Sequence, residues 1–579
     1  MKRRAFLAQS LGAATAVQGL TACRAPAAPP LEGGWVGADP NRAHAALGLS
    51  RGSASTVSVP HAVRSVHTLI AGGGVAGLAA ARGLMQRGVD DFAVLELEDE
   101  AGGNARAGQL QGLACPWGAH YLPVPGNDQP HLQALLAEMG LLQRDAAGRW
   151  QPDERHLCHS PQERLWFNGQ WQPGLLPMEG VGADTLAQYH RFGQLVEQAQ
   201  RQAQSGGGAG RFRVPYVGQM RLEVVQRHGS SNSNKNSHLP LLFIELNALV
   251  FSDWLRQNHL TDPHLLWYLD YVCRDEYGAG IAQVSAWAGV HYFAARHGFA
   301  VPGETEPGQA VFTWPQGNAF VTHHMAQTLG GAAGGRLHTG WAVQRVAQER
   351  QQVLVDVQHV QTGERVRWKA RHVVLALPAH VAARVLDGEP SATLQQVREA
   401  AAALSHAAWV VVNLHLRRPL TDRGGAAPAW DNVAFGTGEL GQTGLGYVDA
   451  THQALHRPRQ APTVLTHYRA LGTELSVRQT LRDQPWTHWV NQSVAEWQEA
   501  HPELPSLITQ ASVARYGHGM VVPVPGFLTH AARWQSLSVG SHAGPSVRWA
   551  HSDASGMSTF EEAFAQGLAA GLEMARRQA

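Results

Sequence analysis

Val66-His-Thr-Leu-Ile-Ala-Gly72-Gly-Gly74-Val-Ala-Gly77 decides how this chain is read. An apolar run enters a glycine turn, an Ala/Leu-rich stretch of helical character follows, and a second apolar run, Phe92-Ala-Val-Leu-Glu96, ends in an acid. That order is a dinucleotide-binding βαβ unit. Gly72 permits the tight turn, Gly74 lets a pyrophosphate approach the backbone, and Gly77 lets the helix pack closely on the strand. The helix N-terminus then holds the phosphates, and Glu96 accepts hydrogen bonds from a ribose. Spacing alone is weak evidence, because Gly436-Thr-Gly438-Glu-Leu-Gly441 repeats it and runs into Gln-Thr-Gly-Leu-Gly instead of a helix. Context separates the two copies.

Outward from that unit, the chain has 579 residues, enough for two or more domains, and a net charge of +1 gives no reason to expect nucleic acid as a partner. The start, Met1-Lys-Arg3-Arg4-Ala-Phe6-Leu7, is basic, and a weakly apolar stretch from Leu11 leads to Leu20-Thr-Ala-Cys23. It is too short and interrupted for a membrane span and reads as an export signal. The paired arginines resemble a twin-arginine signal. Leu-Thr-Ala-Cys resembles a lipobox, which makes Cys23 the lipidated residue and places the protein in the periplasm as an anchored lipoprotein. Residues 24–65, rich in Ala, Pro and Gly, read as a tether with no core of their own. Cys115, Cys158 and Cys273 lack zinc-ligand spacing, so buried thiols are expected and no metal, with one disulfide possible in an exported chain.

Further along, Leu132, Leu135, Leu136 and Met139 recur at helical spacing. Ser205 to Gly210 and Gly229 to Ser237 are polar and Gly/Ser/Asn-rich and read as surface loops or disorder. Between Leu241 and Gly298 lies a run dense in aromatics, from Trp254 to Phe293, expected to be mostly core with a few residues lining a pocket. Strand patterning returns in Val353 to Val357, Val373 to Pro378 and Trp409 to Leu416, with Pro419 to Gln442 irregular. At the C-terminus, Ser558 with Glu561 makes a capping box, so a helix is expected to start there.

Glycine turn, Glu96, Gly102-Gly103, Val343 before a strand ending at Pro378, and Ala-His-Ser-Asp553 before a capped helix occur in one order over residues 66–575. The series resembles the flavin amine oxidase superfamily. The resemblance implies an α/β fold: a Rossmann-type FAD-binding domain of the amine-oxidase and PHBH-like kind, with an interleaved α+β substrate domain. The corresponding division is 1–23 for the signal, 24–65 for the tether, 66–125, 325–395 and 540–579 for the FAD domain, and 126–324 and 396–539 for the substrate domain. It implies non-covalent FAD held by Gly72, Gly74, Gly77, Gly103 and Glu96, with Val343 at the adenine and Asp553 at the ribityl or pyrophosphate region. It further implies that Ser558, Thr559 and Phe560 lie beside the flavin ring. Where the family shows Gly-Gly-Arg this chain has Asn104, so either Arg106 takes the phosphate contact or backbone donors suffice. The lysine that many members carry near the flavin, where a strand like Ala407 to Leu416 begins, is missing.

Flavin accepts a hydride and the protein supplies position and electrostatics, so no dedicated acid or base need appear as a motif. By the same resemblance, His120 and Tyr121, in Trp117-Gly-Ala-His-Tyr121, fall where family members pass a loop close to the ring, which makes them the catalytic candidates. His120 is a proton acceptor, a substrate ligand or a satisfied loop histidine. Tyr447, His452 and Trp314 are further pocket candidates, since an aromatic cage suits an amine cation. The reading is an exported FAD oxidoreductase acting on a small organic substrate, an amine first, with oxygen or a quinone as acceptor and membrane contact only through the Cys23 anchor. The alternatives are a desaturase or dehydrogenase of an apolar substrate passing electrons to a quinone, and a non-catalytic FAD-binding lipoprotein.

Overall fold

The apolar run before the glycine turn forms the strand Ala62–Ala71, and its last four residues are buried, as a strand inside a parallel sheet must be. A computed structural model describes residues 31–46, 62–205, 211–226, 239–299, 301, 310–330, 335–387, 391–436, 443–454, 458, 460–531 and 544–576. In it five strands run parallel in the order Leu337–His338, Phe92–Leu95, Ala62–Ala71, Arg365–Leu375 and Ser546–Trp549. The first half of Arg365–Leu375 also pairs antiparallel with Val353–His359, which pairs in turn with Trp341–Gln348. This is the Rossmann-type domain. Helix Val75–Met85 covers the sheet and is itself covered by the terminal helix Phe560–Arg576. The two approach so closely that a Cβ on Gly567 would stand 1.9 Å from the Ala76 carbonyl oxygen. Their contact brings the C-terminal helix start next to the glycine turn.

A second, mixed sheet runs Glu32–Val36, Ile508–Val522, Ser405–Leu416, Thr463–Gly472, Gly444–Asp449, Asp431–Ala434, Glu163–Phe167 and Gln170–Pro173. One face packs on helices that include Ala183–Ser205 and Pro263–Tyr277. The other packs on Trp489, Trp497 and Leu481.

Four expectations change. The tether is structured over residues 31–46: Glu32–Val36 pairs in parallel with Gln510–Ala514, Trp35 packs into the apolar cluster beneath, and a helix, Pro40–Ala46, follows. Residues 62–65 already belong to the first Rossmann strand. The irregular stretch contains the strand Asp431–Ala434, which has partners on both edges. The C-terminal helix begins at Phe560, with Thr559 Oγ1 accepting the Glu562 N–H at 3.3 Å. The capping box of Ser558 and Glu561 is one residue out because both side chains have tertiary partners: Ser558 Oγ accepts the Val521 N–H, and Glu561 pairs with Arg296. The export signal with Arg3, Arg4 and Cys23, the loops at 206–210 and 229–237, and Gly438 and Gly441 lie outside the described residues. Helix Pro130–Glu138 forms where the leucine spacing places it, burying Leu132, Leu135 and Leu136.

Candidate active site

A cavity of about 530 Å³ runs between the glycine turn and the second sheet. Gly72, Gly74, Glu96, Gly103, Arg106, His120, Tyr121, Val343, Asp553, Ser558 and Thr559 all line it, so segments spread over most of the chain meet on one wall. Gly77 stands behind the wall. Gly72 has φ +104, and a Cβ on Gly77 would lie 1.8 Å from the Gly72 carbonyl oxygen, which is the close strand–helix packing expected of the third glycine. A Cβ on Gly74, by contrast, would meet nothing nearer than Gly103 at 3.7 Å. No side chain caps the first turn of Val75–Met85, so its leading N–H groups remain available to an anion. Uncapped donors beside open space fit a pyrophosphate.

The acid at the end of the second strand is buried beside this turn. Glu96 accepts the Gly73 N–H at 2.7 Å and the Glu98 N–H at 2.9 Å. Burial pushes its carboxyl up, opposed by those two donors and by Arg106. Backbone bonds from Gly340 to the Glu98 carbonyl and from Trp341 to the Glu96 carbonyl draw Trp341–Gln348, and with it Val343, onto the same wall. Arg106 is 5% exposed, donates from Nε to the Gly103 carbonyl at 3.1 Å and lies 3.9 Å from Glu98.

Farther along the wall Asp553 is buried, and this chain fixes its carboxyl group from two sides. Its Oδ2 accepts the Ala379 N–H at 2.8 Å and lies 3.1 Å from His406 Nε2, while Oδ1 is 3.3 Å from His551 Nδ1. Burial pushes the carboxyl up, yet His551 and His406 together hold it well below the usual carboxylate range. The His518 and His380 rings lie 4.3 Å apart and tilted by 30°, and burial pulls these two imidazoles down to about 3 and about 4. Among the described residues, histidine stands at the start of Ser405–Leu416, and no lysine lines the cavity.

Around Tyr121 the wall changes character. The loop from Pro116 to Tyr121 is tied to the second sheet: Asn413 donates to the Pro116 carbonyl, Tyr516 to that of Trp117 and Tyr468 to that of Gly118. His120 is thereby stacked on Tyr468, with ring centroids 4.3 Å apart, and lies 5.3 Å from Trp430. Burial pulls its imidazole down to about 3, so it is neutral. Asp275, Glu276 and Glu561 line the same region with one cation, Arg296. Arg296 comes from a π-helical turn, Phe293–His297, a rare form that concentrates at functional positions, and it pairs with Glu276 at 3.5 Å and Glu561 at 2.5 Å. Asp275 makes no ion pair among the described residues: the adjacent Arg274, which only draws its carboxyl down through space, is bonded to Asp270 and the Gly444 carbonyl. Burial pushes Asp275 up to about 6 and Glu276 up to about 7.

The pocket assignments for Tyr447, His452 and Trp314 are corrected. Tyr447 is buried against Trp497 with its hydroxyl 3.1 Å from His501; His452 bonds the His159 carbonyl; Trp314 donates to His156 and stacks on Phe320. None lines the cavity. Nor do the aromatics of 241–298, which form core, whereas Asp275, Glu276 and Arg296 from that segment do. Sequence reasoning missed these three, together with Glu98, His406, Trp409, Tyr468 and His518. Only His406 carried a local signal, its place at the strand start where the lysine is missing. Cys115, Cys158 and Cys273 are unpaired, and burial pushes the first two thiols up to about 12.

Residues 75–476 match the family described as flavin containing amine oxidoreductase. No curated protein sequence matches the chain. Among solved structures, wild-type putrescine oxidase bound to putrescine is similar with a TM-score of 0.57 and 16% identity, over 88% of this chain and 98% of that one. Cyclohexylamine oxidase from Brevibacterium oxydans gives 0.59 and 15%, over 89% and 100%. A CLA-producing fatty acid isomerase from P. acnes gives 0.54 and 16%, over 87% and 97%. At these identities the likeness establishes the fold, which amine-directed and lipid-directed proteins share.

Proposed function

The chain belongs to the flavin containing amine oxidoreductase family and is an FAD-dependent oxidoreductase, and from that premise we propose that it oxidises a small amine that carries no carboxylate. The observation that carries this reading is the charge of the wall around Tyr121: three carboxylates, Asp275, Glu276 and Glu561, against the single guanidinium of Arg296. Such a surplus favours a cation. Aromatic rings of Tyr121, Tyr468 and Trp409 on the same wall add faces that attract an ammonium or an alkyl amine. Among the described residues of the wall, the guanidinium groups are already engaged, Arg296 by two glutamates and Arg106 beside Glu98, which disfavours the carboxylate of an α-amino acid.

FAD, when bound, supplies the acceptor for a hydride from the carbon beside the amine nitrogen. The chain's residues hold the reactants. The donors at Gly74 and the helix start bind the pyrophosphate, Glu96 the ribose and Val343 the adenine, with Gly103, Arg106, Asp553, Ser558 and Thr559 along the remaining cofactor. Asp275, whose carboxyl sits near 6, takes the proton that the ammonium must shed before its carbon can give up a hydride. His120 is too weak a base for that, so its neutral imidazole orients the substrate by accepting an N–H hydrogen bond, and Tyr121 closes the wall beside it. Replacing Asp275 by Asn tests the assignment. KM for an amine should rise while FAD content stays unchanged; an unaltered KM would remove Asp275 from the site.

Export through the twin-arginine route, with lipidation at Cys23 and electron delivery to oxygen or a quinone in the periplasm, completes the proposal on the strength of Arg3-Arg4 and Leu20 to Cys23. Replacing Arg3 and Arg4 by lysine should strand the protein in the cytoplasm. Undiminished export would refute that route.

A further inference from the structure

Residues 31–46 precede the Rossmann unit and the stretch 75–476 that matches the family, yet they form part of the cofactor cavity. Their strand, Glu32–Val36, is the edge of the second sheet, anchored by Trp35, over whose ring the Arg515 guanidinium lies at 4.2 Å. Their helix, Pro40–Ala46, lies instead on the Rossmann-type domain, against Trp341–Gln348. The segment therefore crosses from one domain to the other. Between strand and helix, Ala38 and Ala43 line the cavity beside Glu96 and Val343.

Polar contacts fasten the crossing at that point. The Asp39 N–H donates to Glu98 Oε1 at 3.2 Å, and Arg42 Nη2 donates to Asp99 Oδ2 at 2.8 Å. The other terminal nitrogen, Arg42 Nη1, is buried 3.6 Å from Glu98 Oε2 and makes no hydrogen bond among the described residues. Glu98 is thus shared between Arg42 of the crossing segment and Arg106 of the loop after Gly103. Since Glu96 marks the ribose of the adenosine half, these contacts sit over that half.

We propose that residues 31–46 are a strap that closes the adenosine end of the FAD site and retains the cofactor. Its seat is made jointly by the two domains and the cavity wall, so cofactor binding and strap docking stabilise one another. The strap is held at the edge of the sheet by one strand with Trp35, and on the Rossmann-type domain by a short helix and a few polar contacts, so it can open locally without global unfolding. This concerns the cofactor and not the substrate, and it stands whether or not the substrate is an amine.

Two measurements on the full chain test it. Amide hydrogen exchange over residues 31–46 should be faster in flavin-stripped protein than in the holoenzyme. On dilution of the holoenzyme, fluorescence of released FAD should appear roughly tenfold faster in Arg42→Glu and in Trp35→Ala than in the parent, with Arg42→Lys in between. Equal exchange in the stripped and loaded forms, or release from both disruptive variants within about twofold of the parent, would overturn the strap.

Discussion

The two ends of the cavity are made from different materials. At the glycine turn, residues from 72–76 and 96–106 supply much of the wall, and what they offer is largely backbone: an uncapped helix start, a turn held in place by Glu96, and a position at Gly74 that leaves space. Around Tyr121 the wall is side chains delivered singly by distant elements: His120, Asp275, Arg296, Trp409, Tyr468 and Glu561. A site made of backbone needs particular residues at particular spacings, so it leaves a motif. A site made of convergent side chains needs only that the fold bring them together.

Mutations at the two ends should therefore fail differently. The largest effect belongs to Gly77→Val, which puts side-chain atoms where a Cβ alone lies 1.8 Å from the Gly72 carbonyl oxygen. It should cost several kcal/mol of stability, on the order of 3 or more, and yield flavin-free protein, read by thermal unfolding and flavin content. Gly74→Ala, with nothing of the chain within 3.7 Å, should fold normally and lose FAD affinity alone. If both behaved alike, the glycine turn would not separate packing from ligand approach.

At the other end, Asp275→Asn should lower kcat/KM for an amine by roughly thirtyfold, about 2 kcal/mol, at unchanged flavin content. A smaller effect is pH dependence. Burial raises Asp275 to about 6 and Glu276 to about 7, and a bound ammonium favours their ionised forms. Binding thus pulls both downward, so amine affinity is full above about pH 7 and is lost as pH falls through 7 and then 6. KM measured from pH 8 to 5 should rise toward acid; a flat profile would take both carboxylates out of substrate binding. The smallest effect is chemical: Cys115, with its buried thiol pushed up to about 12, should resist alkylation at pH 8 in the folded protein, read by mass spectrometry.

The same contrast explains what could be read from the chain alone. Gly72, Gly77 and Glu96 were legible because strand, turn, helix and acid are neighbours in sequence, and their geometry follows from backbone rules. Asp553, Ser558 and Thr559 were placed by their order relative to that unit, though the helix start was misjudged by one residue because Ser558 and Glu561 are used in tertiary contacts. Residues 31–46 were hidden by an Ala/Pro/Gly-rich composition, which says nothing of an edge strand whose partner lies more than 470 residues away. Asp275 and Glu276 sat among aromatics that drew attention to themselves and turned out to be core. Nothing local distinguishes a carboxylate at the end of Pro263–Tyr277 that faces a cavity from one that faces water.

The central claim, that a flavin site here faces a cavity built for a cation, is tested most directly by anaerobic titration of the holoenzyme while its flavin absorbance is followed. Small primary amines and diamines should bleach it, and the same compounds bearing an α-carboxylate should not. Bleaching by apolar or carboxylated substrates while every amine fails would contradict the account.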